Sequence, residues 1–243
     1  MESSGRFLAG LALGGALVVS TALLTRTAVK FKQESQTITV TGSAKRRIES
    51  DLITWSAKVS TRAGTLAAAM RQLKQSTPQI TAFLTKKGIQ PAQVVVSAIA
   101  TRPFHPTDSQ GHTLEETISG YELTQTISVR SNEVDKVEQV SREATELIEQ
   151  GVNLESEAPE YHYTKLADLK IQMLAEASKD SKVRAEQIAT STGARLGILK
   201  DAHMGVMQIN PADSTETSSE GNNDTASLYK DVIAVVTASF AID

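Results

Sequence analysis

Nineteen consecutive residues, 7–25, carry no charge and lie between Arg6 and Arg26. As an α-helix, such a run rises roughly 29 Å at 1.5 Å per residue. That is close to the roughly 30 Å hydrocarbon core of a bilayer. After residue 32 charges recur throughout, as in soluble proteins. The sequence therefore predicts a membrane segment with a short basic flank, residues 1–32, and a globular domain, residues 33–243. The run is longer than the roughly 7–15 residue apolar core of a cleaved signal peptide, and no clean Ala-x-Ala site follows it. Both points favour a retained anchor over a cleaved signal. Gly10 and Gly14 would let two anchors pack closely, although small residues are common in any membrane helix. Arg26, Lys30 and Lys32 outnumber Arg6, so a strict positive-inside count places the domain in the cytoplasm.

The chain has no cysteine, which excludes a disulfide framework, thiolate catalysis and Cys-based metal sites. Its formal charge is −3, and the first 32 residues contribute four bases and one acid, so the domain carries −6. An acidic domain in a chain with one Trp, four Tyr and five Phe lacks the basic stripes and stacking platforms of a nucleic-acid binder.

The domain alternates strand and helix patterns. Residues 36–41 form a short β-rich run ended by Gly42, and residues 52–61, with Trp55, form a second. Leu66, Met70, Leu73, Ile80 and Leu84 then fall on one helix face, with Gly88 as the stop. Pro78 inside that helix kinks it or restarts it, with Thr77 as a cap. Residues 93–102 read as a strand, residues 103–114 as a polar turn, and Tyr121, Leu123, Ile127 and Val129 alternate with polar residues. The two runs make a long hairpin with one wet face. Ser131 and Asn132 are placed to cap a second helix with the stripe Val134, Val137, Val140, Ala144 and Leu147 or Ile148, and Gly151 ends it. A strand follows at 152–158, broken by Pro159. The longest helix runs from Thr164 to about Thr192, with Leu166, Leu169, Met173, Ala177, Ala185 and Ile188 inward and Gly193 at its end. Residues 196–209 form an irregular strand. Residues 210–227 are acidic and hold no large apolar side chain, so they have nothing to bury and are expected to form a mobile loop. The last run, 228–242, is apolar on both faces through Val236, as a central strand would be. The order is ββαββαβαββ. A mixed or antiparallel sheet packed with helices, an α+β fold behind an N-terminal transmembrane helix, follows from single wet faces and one-sided stripes.

Chemistry-bearing residues are few. His105, Asp108 and His112 share the polar turn, but no regular spacing preorganises them for a metal, and a solvated turn is the simpler reading. His162 lies between Tyr161 and Tyr163, and His203 sits on a strand beside Met204; both read as packing residues. Residues 42–45 lack the pattern of a phosphate loop. No acid–base pair, Ser–His–Asp set or His-Glu-x-x-His motif is spaced for catalysis. The reading of the residues names no catalytic, cofactor-binding or metal residue. Glu133, Glu138, Glu143, Glu146 and Glu149 form a solvated helix face.

Four segments in order resemble one family: residues 38–45 (ITVTGSAK), the helix–Gly-Ile–strand stretch 73–104, the Gly-Tyr strand and helix of 119–153, and the Lys-rich helix with its Gly-x-x-Leu-Gly exit at 179–197. This pattern is similar to the SIMPL domain family, a domain of unknown function. Val183–Glu186 departs from it where the family usually has lysine. The resemblance implies export or membrane anchoring in bacteria, oligomer formation and a loose link to envelope integrity and stress tolerance. It implies an extracytoplasmic domain against the charge count, because export of long domains depends only weakly on flanking charges. It transfers no catalytic residue. The leading expectation is therefore a non-enzymatic, membrane-tethered, periplasmic-side envelope protein that forms a homo-oligomer or meets protein partners, without cofactor or nucleic acid. The alternatives are a binding module for a glycan, lipid or peptide in a groove beside the sheet, and, further off, an unrecognised hydrolase.

Overall fold

A computed structural model describes residues 20–21, 36–106, 108, 110–114 and 116–242. Of the uncharged run 7–25, only Ser20 and Thr21 are described, so the expected anchor and the Gly10–Gly14 pair lie outside the described residues. Among the described residues no helix is long and apolar enough to cross a membrane.

The chain divides into two compact units. One takes Met1–Arg46, Asp168–Met207 and Ile233–Asp243; the other takes Arg47–Ala167 and Gln208–Val232. The elements are β1 Thr37–Glu49, β2 Leu52–Ala63, α1 Leu66–Lys86, a single 3-10 turn Pro91–Gln93, β3 Val94–Val96, β4 Ala100–Phe104, β5 Gly120–Ser131, α2 Val134–Glu143, α3 Glu146–Glu149, β6 Leu154–Ser156, β7 Glu160–His162, α4 Leu166–Ser191, β8 Leu196–Met204, β9 Gln208–Pro211 and β10 Tyr229–Ile242. The mixed α+β class matches the sequence reading, whereas the order ββαββαβαββ gains strands and a short helix. Three predicted strand runs are interrupted or re-bounded. Residues 93–102 become β3 and β4, 152–158 ends early with β7 beyond Pro159, and 196–209 becomes β8 and β9.

The six-stranded sheet of the second unit is antiparallel throughout, in the order β3-β5-β2-β6, with β4 also on β5 and β7 also on β2. The predicted hairpin forms, with Ala100 opposite Thr124 and Phe104 opposite Gly120. Ile53, Trp55, Ala57 and Val59 of β2 point with Leu123, Ile127 and Val129 of β5 into one core, a direct result of the two-residue period. That core is closed by Leu73, Ile80, Phe83 and Leu84 of α1 and by Val137, Val140, Ala144 and Leu147 from α2 to α3. Each Val, Leu, Ile or Phe among them contributes about 1.5–3 kcal/mol when fully buried. Trp55 is core and donates its indole N–H to Ser156 Oγ at 3.1 Å. Pro78 neither breaks nor restarts α1, and Thr77, predicted as a cap, gives its hydroxyl to Gln125 Oε1. The second-helix cap also shifts. Glu133 holds the cap position, and Ser131 Oγ accepts its N–H at 3.0 Å.

In the first unit β10 is central, in the order β1-β10-β8, as its apolar run predicted. β8 pairs antiparallel to it, with register shifts near Phe240. Val40, Ala185, Ala238 and Phe240 form the core. The strand predicted to end at Gly42 runs through it. Along α4 the inward row is Leu169, Met173, Ala177, Ser181, Ala185 and Ala189, an unbroken four-residue ridge. Ile188, predicted inward, is exposed, and Ser181 takes the inward position.

Candidate functional site

His105 and His112 lie in the polar turn and His162 is half-buried on β7, whereas His203, read from the sequence as a packing residue, is exposed on β8. Asp108 and His112 do come together. Asp108 Oδ1 accepts the N–H groups of Gln110 and His112 at 2.8 and 2.9 Å, and Oδ2 lies 3.2 Å from His112 Nδ1. The His112 backbone N–H, with Gln110 and Gly111, holds the Asp108 carboxyl below its ordinary range against a partial desolvation. His105 does not join them; its Nδ1 lies 3.0 Å from the Thr117 carbonyl. His162 Nε2 sits 3.2 Å from Thr54 Oγ1 on the β2–β7 pair, and the exposed His203 lies 2.9 Å from Asp201. Among the described residues no group of three His, Cys, Asp or Glu is arranged for a metal.

The Gly42-Ser43 part of the ITVTGSAK segment explains itself by packing. A Cβ at Gly42 would lie 2.7 Å from the Ser181 Cα, and closer still to the Ser181 N and the Ala177 O. The Ser43 N–H donates to Asp180 Oδ2 at 2.8 Å. The strand and the small-residue ridge of α4 therefore meet backbone to backbone, which only glycine permits.

Two buried ionic residues in the second unit were not read from the sequence. Asp231, fully buried, accepts Nε and Nη2 of Arg47 at 2.9 and 3.1 Å and the N–H of Asp213 at 2.8 Å. The carboxylate of Asp231, and that of Asp213, which also accepts from Arg47 Nη2, raise the Arg47 guanidinium above its ordinary value. Lys230, also buried, donates to the carbonyls of Tyr161, at 2.7 Å, and Asp224. Burial lowers its pKa, opposed by the nearby Asp224. The one available signal was a Lys-Asp pair inside an otherwise apolar strand.

The acidic segment 210–227 does find something to bury, contrary to expectation. Asn210 is 0% exposed; its Nδ2 donates to the Glu216 carbonyl at 2.6 Å and its Oδ1 accepts from Asn222 at 2.9 Å. Gln208 gathers the N–H groups of Ser218 and Asn222 and donates to the Ser218 carbonyl. Amide side chains take the place of an apolar core there.

The feature of the first unit best suited to recognition is a cleft of about 410 Å³ between α4 and the sheet, lined by Ser178, Ser181, Lys182, Gly197, Ile198, Leu199, Ala202, Val236, Ala238 and Phe240. Its serines are spent on the helix: Ser178 Oγ donates to the Leu174 carbonyl and Ser181 Oγ to the Ser178 carbonyl. Lys182 faces Glu186 at 3.6 Å. The lining thus offers apolar surface and little free polarity. Beside it β8 has no second strand partner among the described residues. Ile198 is 70% exposed, Met204 62% and Leu199 53%, and Val206 follows them.

A comparison with curated proteins finds no match. Among solved structures, the chain is similar to the de novo designed protein Foldit4, at 15% identity over 44% of this chain and 93% of that one, with a TM-score of 0.21. It is also similar to a putative amidohydrolase/peptidase from Burkholderia cenocepacia, at 16% identity over 49% of this chain and 30% of that one, with a TM-score of 0.26. At these scores neither likeness bears on fold or function. A family model does match: SIMPL, a protein of unknown function (DUF541), covers residues 38–240, and the chain belongs to that family.

Proposed function

We propose that this protein is a non-enzymatic, membrane-tethered component of the bacterial envelope that works by associating with copies of itself, its domain on the periplasmic side. The observation that carries the reading is the uncovered margin of the first unit. Among the described residues β8 pairs with β10 alone and exposes Ile198, Leu199 and Met204 next to an apolar cleft, and α4 exposes Ile171 and Val183. Apolar side chains gathered on one open strand favour a protein partner. Tethering rests on the length of the uncharged run 7–25. Light scattering on the detergent-extracted full chain gives an oligomer mass, and Ile198→Glu with Met204→Glu lowers it, whereas Ile148→Glu, an exposed apolar position of the second unit, does not. A monomer mass for the wild type at high micromolar concentration would overturn the reading. Protease added to intact spheroplasts digests the domain to a membrane-bound stub; full protection would place the domain in the cytoplasm instead.

The size of the cleft favours a second reading, a binding module for a lipid chain. About 410 Å³ lies within the range of small-ligand sites. Saturable uptake of a fluorescent fatty acid, lost in Ala202→Trp with the oligomer intact, would select it.

A further inference from the structure

The six-stranded sheet of the second unit ends at β3, which pairs with β5 alone among the described residues. The Ser97 N–H donates to the Thr126 carbonyl at 2.9 Å, so the alternation of an antiparallel ladder turns the main-chain groups of Val94 and Val96 away from β5. The Val94 N–H is taken by the Pro91 carbonyl. The Val94 carbonyl and both main-chain groups of Val96 face the open side. Val95, Val96 and Ile99 are exposed along this edge.

Beside the edge runs a trough of about 680 Å³ between β3 and α1, lined by Pro78, Thr81, Ala82, Thr85, Val94 and Val96, with Lys86 and Pro91 completing it. The wall from Pro78 to Lys86 is roughly 12 Å long at 1.5 Å per residue, which matches three to four residues of extended chain at about 3.3 Å each. Its hydroxyls are turned inward: Thr81 Oγ1 donates to the Pro78 carbonyl and Thr85 Oγ1 to the Thr81 carbonyl. Lys86 is the one charged residue of the lining and has no carboxylate partner among the described residues, while its neighbour Lys87 takes Glu143 at 2.7 Å.

We propose that this trough binds an extended peptide that adds to β3 as a new strand, sets alternate apolar side chains between β3 and α1, and brings a carboxylate to Lys86. The open ladder supplies main-chain affinity, and the spaced apolar wall supplies the preference for apolar residues at every second position. An apolar trough with an uncompensated cation at the end of its helix wall is complementary to a segment that is apolar and carries one acid, such as a chain terminus. The inference concerns the second unit and does not depend on association through β8.

The test uses the full chain in lipid nanodiscs, with empty nanodiscs as blank. The probe is a fluorescent hexapeptide of alternating valine and threonine with a free C-terminal carboxylate, and its amidated form is the comparison. Saturable anisotropy binding is expected, weakened about fivefold by amidation and by Lys86→Gln, as for one partly exposed charge pair. Val96→Pro removes an N–H that β5 does not use, and Ala82→Trp fills the trough from an exposed helix position. Each is expected to weaken binding at least about tenfold, with hydrogen exchange at the Val96 amide slowed by peptide only in the unsubstituted protein. Absence of saturable binding up to millimolar probe would overturn the proposal, as would binding unchanged in both Val96→Pro and Ala82→Trp. Association of copies without peptide that Ala82→Trp abolishes would give the trough to a second copy, and also overturns it.

Discussion

Substituting Gly42 by alanine tests whether the family's first motif is a packing device. The new Cβ would lie 2.7 Å from the Ser181 Cα, with Ser181 N and Ala177 O nearer. Ordinary carbon contacts lie at about 3.5–4.0 Å, so β1 and α4 must separate by roughly 1 Å, and the obstructing atoms are backbone with no rotamer to yield. Separation would also stretch the bond from the Ser43 N–H to Asp180, now 2.8 Å. Overpacking of this kind costs about 1–3 kcal/mol, or roughly 2–12 °C in melting temperature for a domain of this size. The assay is a thermal melt by circular dichroism, with Gly64→Ala as control, since nothing lies within 4 Å of a Cβ there. The control is expected to melt within about 2 °C of wild type, or slightly above it. Adding Ser181→Gly to Gly42→Ala should not restore stability, because the clash is with the Ser181 main chain. A Gly42→Ala protein that melts within about 1 °C of wild type would refute the reasoning.

Asn210→Ala leaves the Glu216 carbonyl and the Asn222 amide without their partner and should cost about 1–3 kcal/mol in urea unfolding, whereas Ala at the exposed Asn223 should be neutral. Lys230, depressed by burial, sheds its proton in the folded state before the unfolded chain does at 10.5. Below 10.5 the unfolded state therefore binds more protons, so stability gains with rising pH; the unfolding midpoint of wild type should rise relative to that of Lys230→Met as pH approaches 10.5. Asp108 has the same sign in a lower pH window. Its lowered pKa gives a contribution present above the ordinary carboxylate value of 3.8 and lost as pH falls below it, so Asp108→Ala should differ from wild type at pH 7 and the difference should shrink as pH falls below 3.8. The variant His105→Ala, Asp108→Ala, His112→Ala should keep its oligomer mass and show no change in zinc uptake by calorimetry; loss of a bound zinc would revive the metal reading.

Periodicity made much of the fold legible. Alternation in Tyr121, Leu123, Ile127 and Val129 placed β5, and three- and four-residue steps placed Leu73, Ile80 and Leu84 of α1. Side-chain-to-main-chain bonding was hidden, because its partners are remote in sequence. Nothing near Asn210 announces that Glu216 and Asn222 will saturate its amide, and composition alone made the segment look unable to bury anything. Pro78 misled for a related reason: proline sacrifices one helix bond, and neighbours already fixed by Leu73, Ile80 and Leu84 hold the helix through it. The cleft and the trough were invisible because each joins segments far apart in the chain, such as Pro78 with Val94 or Lys182 with Phe240. The exposed Ile198 and Val95 were legible only as strand residues, since a sequence does not say which strand ends a sheet.

The motifs that identify the family share one physical property. Ile89 N–H reaches the Leu84 carbonyl, Val152 N–H the Leu147 carbonyl and Ala194 N–H the Ala189 carbonyl, each five residues back. Gly88 and Gly151 supply the positive φ, 85° and 86°, that this helix closure requires. The residue after each, Ile89 or Val152, is then driven into the core at 1% exposure. Together with Gly42, these positions specify where helices stop and how closely α4 meets β1. A signature made of closures and close approaches constrains a scaffold. The β8 margin and the β3 trough draw instead on exposed apolar side chains that take no part in those closures. Partner choice in such a family would then vary with Ile198, Met204 and the lining of the trough, and a residue exchange confined to those positions should transfer binding preference without moving the melting temperature.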